Sequence, residues 1–249
     1  RVLFALVMRE MVTRYGRSPG GYIWAIIEPL ATIALLSAVF SAIARHPALG
    51  TNFPVFFATG YGIFHIYKDV SASVSTAVQS NRALLAFPRI SMLDVILARF
   101  LLQTTTSIMA FSAIMTGLLL YYDMHMPLDF HAIFAAFAYA ALLGIGIGAL
   151  NCVLFAFSPT YQRVFNIVNR PLFLISGVFF IFEEIPADWQ PWLWWNPLIH
   201  VTATMRTGFY AEYHAAFVSP VFVLMVALTT LMLGVLLLQV LRGQVLERD

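Results

Sequence analysis

Four side chains that commonly bind metals lie close together near the middle of the chain. They are Asp123, His125, Asp129 and His131. Carboxylate and imidazole groups are zinc ligands, and a catalytic zinc site needs three of them around an open position. Here the spacing is irregular and Pro127 interrupts the segment. The pattern favours a solvated loop, with a metal site as the alternative.

A glycine-rich stretch resembles a nucleotide-binding loop in composition. Gly144, Gly146 and Gly148 alternate with isoleucine inside a long apolar segment with no strand before it. Small residues at this spacing allow helices to approach closely in lipid. The chain has no Walker A motif, and its only lysine is Lys68, which follows His-Ile-Tyr. The sequence predicts helix packing at the glycines, and neither ATP hydrolysis nor another catalytic site in this chain.

Three charged residues fall in apolar stretches, namely Glu28, Lys68 and Asp69. Charges at membrane depth are costly and mark functional sites by default. Lys68 and Asp69 are adjacent, so on a helix they cannot share one face. A long lysine side chain near the end of a span also reaches the lipid headgroups. For Lys68, a role in a transport path and snorkelling to the lipid headgroups are both open. For Glu28, the functional alternatives are a place in the transport path and contact with a partner.

Four tryptophans crowd into residues 189–195, among several prolines. They are Trp189, Trp192, Trp194 and Trp195. Tryptophan anchors proteins at the membrane–water interface, and its flat face also stacks on sugar rings. The crowding favours a pair of short helices that dip into the outer leaflet within residues 183–218. Anchoring and glycan contact are the two interpretations of the side chains.

The elements that position these residues are apolar helices. The chain is 61% hydrophobic and 10% charged, whereas soluble domains are about 45–50% apolar and about 25% charged. We expect an all-α integral membrane protein with six transmembrane helices. The expected spans are about 22–44, 53–76, 97–120, 132–157, 171–182 and 218–241, with a polar interruption at 158–170.

Residues 1–21 are too short and too basic to form a span. An apolar stretch over residues 2–8 is followed by Arg9, Glu10, Arg14 and Arg17. This pattern predicts an amphipathic helix that lies in the headgroup plane. We expect no cleavable signal peptide.

Basic residues fall almost entirely on one side of these spans. Eleven arginines lie on the side of the N-terminus, and only Arg45 and Arg206 lie opposite. Because cytoplasmic loops carry the excess of basic residues, both termini are expected in the cytoplasm. Nothing in the pattern indicates nucleic-acid binding.

Four segments together resemble the permeases of type-2 ABC exporters, and most closely those of capsular-polysaccharide exporters. Residues 81–89 with Leu93-Asp94 resemble the cytoplasmic segment of that family, and residues 170–180 resemble its signature at the fifth span. Residues 196–200 with Arg206 resemble the segment that comes after this signature, and residues 14–30 resemble the opening of the polysaccharide branch. O-antigen and teichoic-acid exporter permeases share much of this pattern.

The resemblance implies a single domain over residues 1–249 in a bacterial inner membrane. It implies a homodimer with two ATPase subunits, which would carry ATP and magnesium, and no cofactor in this chain. The implied substrate is a lipid-linked capsular polysaccharide. A periplasmic co-polymerase and an outer-membrane channel are implied further along the export route. The rival classes are a membrane-embedded glycosyl or acyl transferase and a secondary transporter, which usually shows inverted repeats.

The resemblance and the charge pattern together suggest roles for four sets of residues. Coupling to the ATPase is expected within residues 80–94, at Asn81, Arg82, Phe87, Pro88 and Arg89. The substrate's lipid headgroup is expected to meet Arg9, Arg14, Tyr15 and Arg17. The translocation path is expected at Glu28, Lys68, Asp69 and Arg170. The aromatic rim where the glycan leaves is expected at Trp189, Trp192, Trp194 and Trp195.

Overall fold

Helices account for all the regular structure in the computed structural model, which describes residues 2–15, 20–85, 87, 90–124 and 127–247. The long helices are α1 (Val2–Tyr15), α2 (Gly21–Ile43), α3 (Phe53–Ser75), α6 (Met92–Tyr121), α7 (Phe130–Phe157), α8 (Pro159–Ile175), α10 (Pro197–Phe209) and α11 (Pro220–Val240). The short ones are α4 (Ala77–Ser80), α5 (Arg82–Leu85), α9 (Gln190–Trp194) and α12 (Arg242–Glu247), with a 3₁₀ turn at Phe182–Glu184.

Among the described residues, four helices are long and apolar enough to cross a membrane, and these are α2, α6, α7 and α11. They confirm four of the six predicted spans. The second predicted span is present as α3, a helix of 23 residues. Its C-terminal half carries His65, Lys68, Asp69 and several serines, so α3 is more polar than the other four helices although it lies at the centre of the fold.

The predicted fifth span, residues 171–182, was wrong in its bounds. The helix in this region is α8, which begins at Pro159 and ends at Ile175, so the segment expected as a polar interruption is helical. Ser158 starts it, since its hydroxyl accepts the N–H of Tyr161 at 3.1 Å. The helix is followed by a turn in which Gly177 adopts φ +74°, a conformation that glycine adopts without strain.

The core is a layer of three helices, with α7 packed between α3 and α11. A Cβ atom on Gly148 would lie 2.7 Å from Cβ of Val74 on α3, and one on Gly146 would lie 2.6 Å from the carbonyl oxygen of Ala227 on α11. Neither side has room for a side chain. The glycines therefore allow close helix packing, as the sequence predicted.

A capping box explains why α6 begins earlier than predicted. The Ser91 hydroxyl accepts the Asp94 N–H at 3.1 Å, and the Asp94 carboxylate accepts the Ser91 N–H at 2.9 Å. The backbone N–H groups of Ser91 and Asp94, which have no acceptor within the helix, are therefore both hydrogen-bonded. The helix starts at Met92, so residues 92–94 of the predicted coupling segment belong to α6.

The long connection between α8 and α11 contains two helices, α9 and α10, in the region where a pair of short helices was predicted. Most of α10 is buried against α3 and α7. Its depth relative to lipid stays a prediction. Tyr213 in the loop after α10 donates its hydroxyl proton to Glu183 at 3.0 Å. Burial and the neighbouring Glu183 carboxylate raise the pKa of Tyr213 still further above neutral pH.

Candidate functional site

An open cleft of ≈ 620 Å³ lies between α2, α3 and α8. The polar side of α8 faces it with Gln162, Asn166, Asn169 and Arg170, and α3 contributes Lys68. On a helix, residues three and four apart lie on one face, so the spacing of these α8 residues forms a continuous polar stripe. The cleft therefore presents hydrogen-bonding groups between helices that are otherwise apolar.

Aromatic side chains line the base of the cleft, chiefly Tyr61, Phe64, Tyr67 and Phe173. The ring of Phe173 meets Tyr61 edge-on at 5.9 Å and Phe64 at 5.3 Å between centroids. Such contacts fix the orientation of the rings. A rigid aromatic surface of this kind suits sugar rings or lipid chains.

The electrostatics of the cleft are one-sided. Among its described lining residues, Lys68 and Arg170 are basic and none is acidic. Charges that lack a partner in a low-dielectric region attract ions of opposite sign strongly. The cleft can thus bind an anionic group of a ligand next to apolar and aromatic side chains of the protein. Glu28 is exposed on α2 and does not belong to this lining.

Asp69 points away from the cleft, into a small cavity of ≈ 30 Å³ between α2, α3 and α6. It accepts the side-chain N–H of Gln103 at 3.2 Å. His65 Nδ1 lies 3.1 Å from the Asp69 carboxylate, although the contact is not aligned as a hydrogen bond. The prediction that Lys68 and Asp69 occupy different faces is confirmed.

Three of the predicted coupling residues, Asn81, Arg82 and Phe87, are among the described residues, and they follow the short helix α4. Asn81 is buried, and its side-chain N–H donates to the Ala77 carbonyl at 3.0 Å. Arg82 begins α5, so part of this segment is helical. Phe87 is 61% exposed and is available to a partner. Pro88 and Arg89 lie outside the described residues.

The predicted headgroup arginines lie on or just after α1. The exposed Arg9 donates from Nη1 to the Asn81 side-chain oxygen at 2.9 Å. Arg14 and Tyr15 belong to the last turn of α1, and Arg17 lies outside the described residues. Arg9 therefore links α1 to the coupling segment, a contact that the sequence did not suggest.

The four tryptophans divide into two sets. Trp189, Trp192 and Trp195 are 64%, 78% and 69% exposed. Trp194 packs inward, with its indole N–H donating to the Phe217 carbonyl at 3.1 Å and its ring 4.9 Å from that of Phe222. Only the first three can form the predicted rim, because Trp194 joins α9 to the start of α11.

His200 completes the attachment of α9 and α10 to α11. Its Nε2 lies 2.8 Å from the Trp194 carbonyl, and its Nδ1 lies 3.3 Å from the Ser219 N–H. A carbonyl accepts and an N–H donates, so the neutral Nε2–H tautomer satisfies both contacts. His200 is a structural residue in this arrangement.

Sequence reasoning placed Arg206 on the outer side and in a segment of the family resemblance, but it did not predict that the side chain is buried. It is 1% exposed, and its Nη1 and Nη2 donate to the carbonyls of Phe180 at 2.7 Å and Val178 at 3.1 Å. The guanidinium also lies 4.2 Å from the centroid of the Phe56 ring. Arg206 thus fastens the turn after α8 to α10 and α3.

One of the four candidate metal ligands, Asp129, has a structural role. Asp129 caps α7, and its carboxylate accepts the N–H groups of His131 at 2.9 Å and Ala132 at 3.3 Å. Within the described part of the chain no group of three His, Cys, Asp or Glu side chains could hold a metal ion. His125 lies outside the described residues.

The basic cleft lies beside the core of a domain built from long apolar helices. Residues 1–210 match the ABC-2 type transporter family, and the chain belongs to this family. The resemblance noted in the sequence is confirmed.

Three relatives cover nearly the whole chain. The polysialic acid transport protein KpsM of Escherichia coli is 30% identical over 233 residues, which span 94% of this chain and 90% of the relative. The capsule polysaccharide export inner-membrane protein CtrC of Neisseria meningitidis serogroup A is 29% identical over 94% of this chain and 88% of its own. The capsule polysaccharide export inner-membrane protein BexB of Haemophilus influenzae is 27% identical over 96% of this chain and 90% of its own.

Proposed function

We propose that the chain is the permease subunit of an ATP-driven exporter that moves a lipid-linked capsular polysaccharide across the bacterial inner membrane. The observation that carries this proposal is the basic, aromatic-lined cleft in a member of the ABC-2 type transporter family. The names of the relatives, which concern capsule polysaccharide export and polysialic acid transport, favour capsule over O-antigen or teichoic acid.

Energy comes from two copies of a separate ATPase subunit, which bind ATP and magnesium. The coupling segment at residues 80–94 receives their movement, with Asn81, Arg82 and Phe87 among its described residues. Arginines gather on the side of this segment, which supports a cytoplasmic position for it and for both termini. This chain then needs no catalytic group of its own.

Two copies of the chain enclose the path between them. α2 exposes Ile27 and Leu30, and α8 exposes Ile167 and Val168. These exposed apolar side chains lie on two of the helices that form the cleft, and a second copy of the chain would cover them. The homodimer converts an open groove into a passage.

The substrate uses both chemical features of the cleft. The phosphate of the lipid linker binds near Lys68 and Arg170, and sugar rings pass along the aromatic residues. Arg14 and Arg17 draw the anionic headgroup to the inner leaflet, each basic group contributing about 1 kcal/mol near an anionic surface. Trp189, Trp192 and Trp195 form the rim where the glycan leaves, toward a periplasmic co-polymerase and an outer-membrane channel.

The experiment that tests this function is co-expression of the chain with a candidate ABC ATPase in a bacterium that lacks capsule export. We expect the two proteins to co-purify, to hydrolyse ATP in a vanadate-sensitive manner and to restore surface polysaccharide. The permease alone is expected to show no ATP turnover. A complex that hydrolyses ATP yet exports no glycan, or turnover by the lone permease, would contradict the proposal.

The aromatic rim gives a separate prediction. Replacing Trp192 and Trp195 by leucine should reduce glycan export while leaving the folded protein in the membrane, because both side chains are exposed. Replacing Trp194 by leucine should instead lower thermal stability, since its indole hydrogen bond and its ring contacts are lost. Export assays and thermal unfolding in detergent separate the two effects. Normal export by the Trp192/Trp195 double variant would reduce these residues to membrane anchors.

A further inference from the structure

A largely buried ion pair connects α1 to the N-terminal part of α6. Glu10 on α1 and Arg99 on α6 meet through Oε1 and Nε, and their side chains are 12% and 16% exposed. The two residues are 89 positions apart in the chain. Neither has a role in the cleft or in the predicted coupling set.

Arg99 also binds the end of α3. Its Nη1 lies 3.2 Å from the Ser73 carbonyl and 3.0 Å from the Thr76 hydroxyl. Because a guanidinium presents several donors in a rigid fork, one side chain holds α1, α3 and α6 in a fixed relation. A point charge such as lysine cannot reproduce that geometry.

Asn81 brings the coupling segment into the same group. Its side-chain oxygen accepts from Arg9 at 2.9 Å, and its N–H group lies 3.5 Å from Glu10 Oε1. Arg9 and Glu10 are neighbours on α1, so one turn of this helix contacts both the coupling segment and α6. We call Arg9, Glu10, Asn81 and Arg99 the α1 latch.

We propose that Glu10 and Arg99 are positioning residues for transport, and that the α1 latch makes α1, the end of α3 and the coupling segment move as one unit. The inference rests on the proposed function, because it concerns how movement of an ATPase subunit reaches the permease. Movement received at residues 80–94 is passed to α1 through Asn81, and from α1 to α6 through the contact between Glu10 and Arg99. The interfacial helix is then a moving part, and Arg9 serves the latch rather than the lipid headgroup.

The test is a charge exchange in the complete exporter with its ATPase subunit. Glu10→Arg and Arg99→Glu are made singly and together, and the glycan exported per ATP hydrolysed is measured. Since removing one partner of a buried pair leaves the other charge uncompensated, each single variant should lower this ratio roughly tenfold. The double variant restores opposite charges and should recover a large part of the ratio. Arg45→Glu, on an exposed arginine, is the matched control and should leave it unchanged.

Milder variants keep the test informative if charge reversal prevents folding. Glu10→Gln retains an acceptor for Arg99, and Arg99→Lys retains the charge without the fork. Both are expected to insert normally and to hydrolyse ATP with reduced export per ATP. An unchanged ratio in these variants, or a charge exchange that restores stability but not the ratio, would overturn the proposal. Failure of the unmodified exporter to export glycan would refute the proposed function instead.

Discussion

Replacing Arg206 with leucine is expected to lower the stability of the folded protein strongly. The guanidinium binds the carbonyls of Val178 and Phe180, which leucine leaves without a donor. Each buried carbonyl that loses its partner costs about 1–3 kcal/mol, so the expected loss is about 2–6 kcal/mol. For a chain of this size that corresponds to a fall in Tm of roughly 5–20 °C.

Thermal unfolding of the detergent-purified protein measures this effect, with Arg45→Leu as the control. Arg45 lies on the same predicted side of the membrane but is exposed, so its replacement should change stability by less than about 0.5 kcal/mol. Arg206→Lys should fall between the two, because an ammonium group cannot serve two carbonyls with the geometry of the fork. Equal Tm values for Arg206→Leu and Arg45→Leu would show that the turn after α8 is held by other contacts.

Arg206 also shows where sequence reasoning stops. The apolar runs of α2, α6, α7 and α11 are visible in the sequence because lipid imposes length and composition on a span. The close packing at Gly146 was predictable for a similar reason, since small residues mark helix contacts in membranes. The burial of Arg206 depends on carbonyls that a distant turn leaves free, and no local pattern signals such a contact.

Two other differences between prediction and structure could have been recognised in the sequence from the periodicity of an α-helix. Gln162, Asn166 and Asn169 lie four and three residues apart and so share a face of α8. The segment was expected to be an interruption because only its polarity was considered. Likewise, Trp189, Trp192 and Trp195 repeat every three residues, whereas Trp194 does not fit that spacing. The contact between Glu10 and Arg99, by contrast, joins helices far apart in the chain and has no such signal.

The basic cleft leads to the largest expected effect on transport. Replacing Lys68 and Arg170 by alanine removes two attractions of about 1 kcal/mol each, which corresponds to an export rate about 30-fold lower. Glutamates at both positions also repel the anionic linker, so the total change is about 4 kcal/mol and export should fall roughly a thousandfold. Both side chains line an open cleft, so insertion and ATPase binding should be retained.

Arg163 provides the control for this prediction, because it lies on α8 and is exposed but is absent from the described lining of the cleft. Arg163→Glu changes the net charge of the same helix by the same amount as Arg170→Glu. If the cleft is the path, export falls steeply for the Lys68/Arg170 variants and stays near normal for Arg163→Glu. Equal losses in all of them would indicate a general effect of charge on this side of the membrane. Normal export with both basic groups reversed would place the anionic part of the substrate elsewhere.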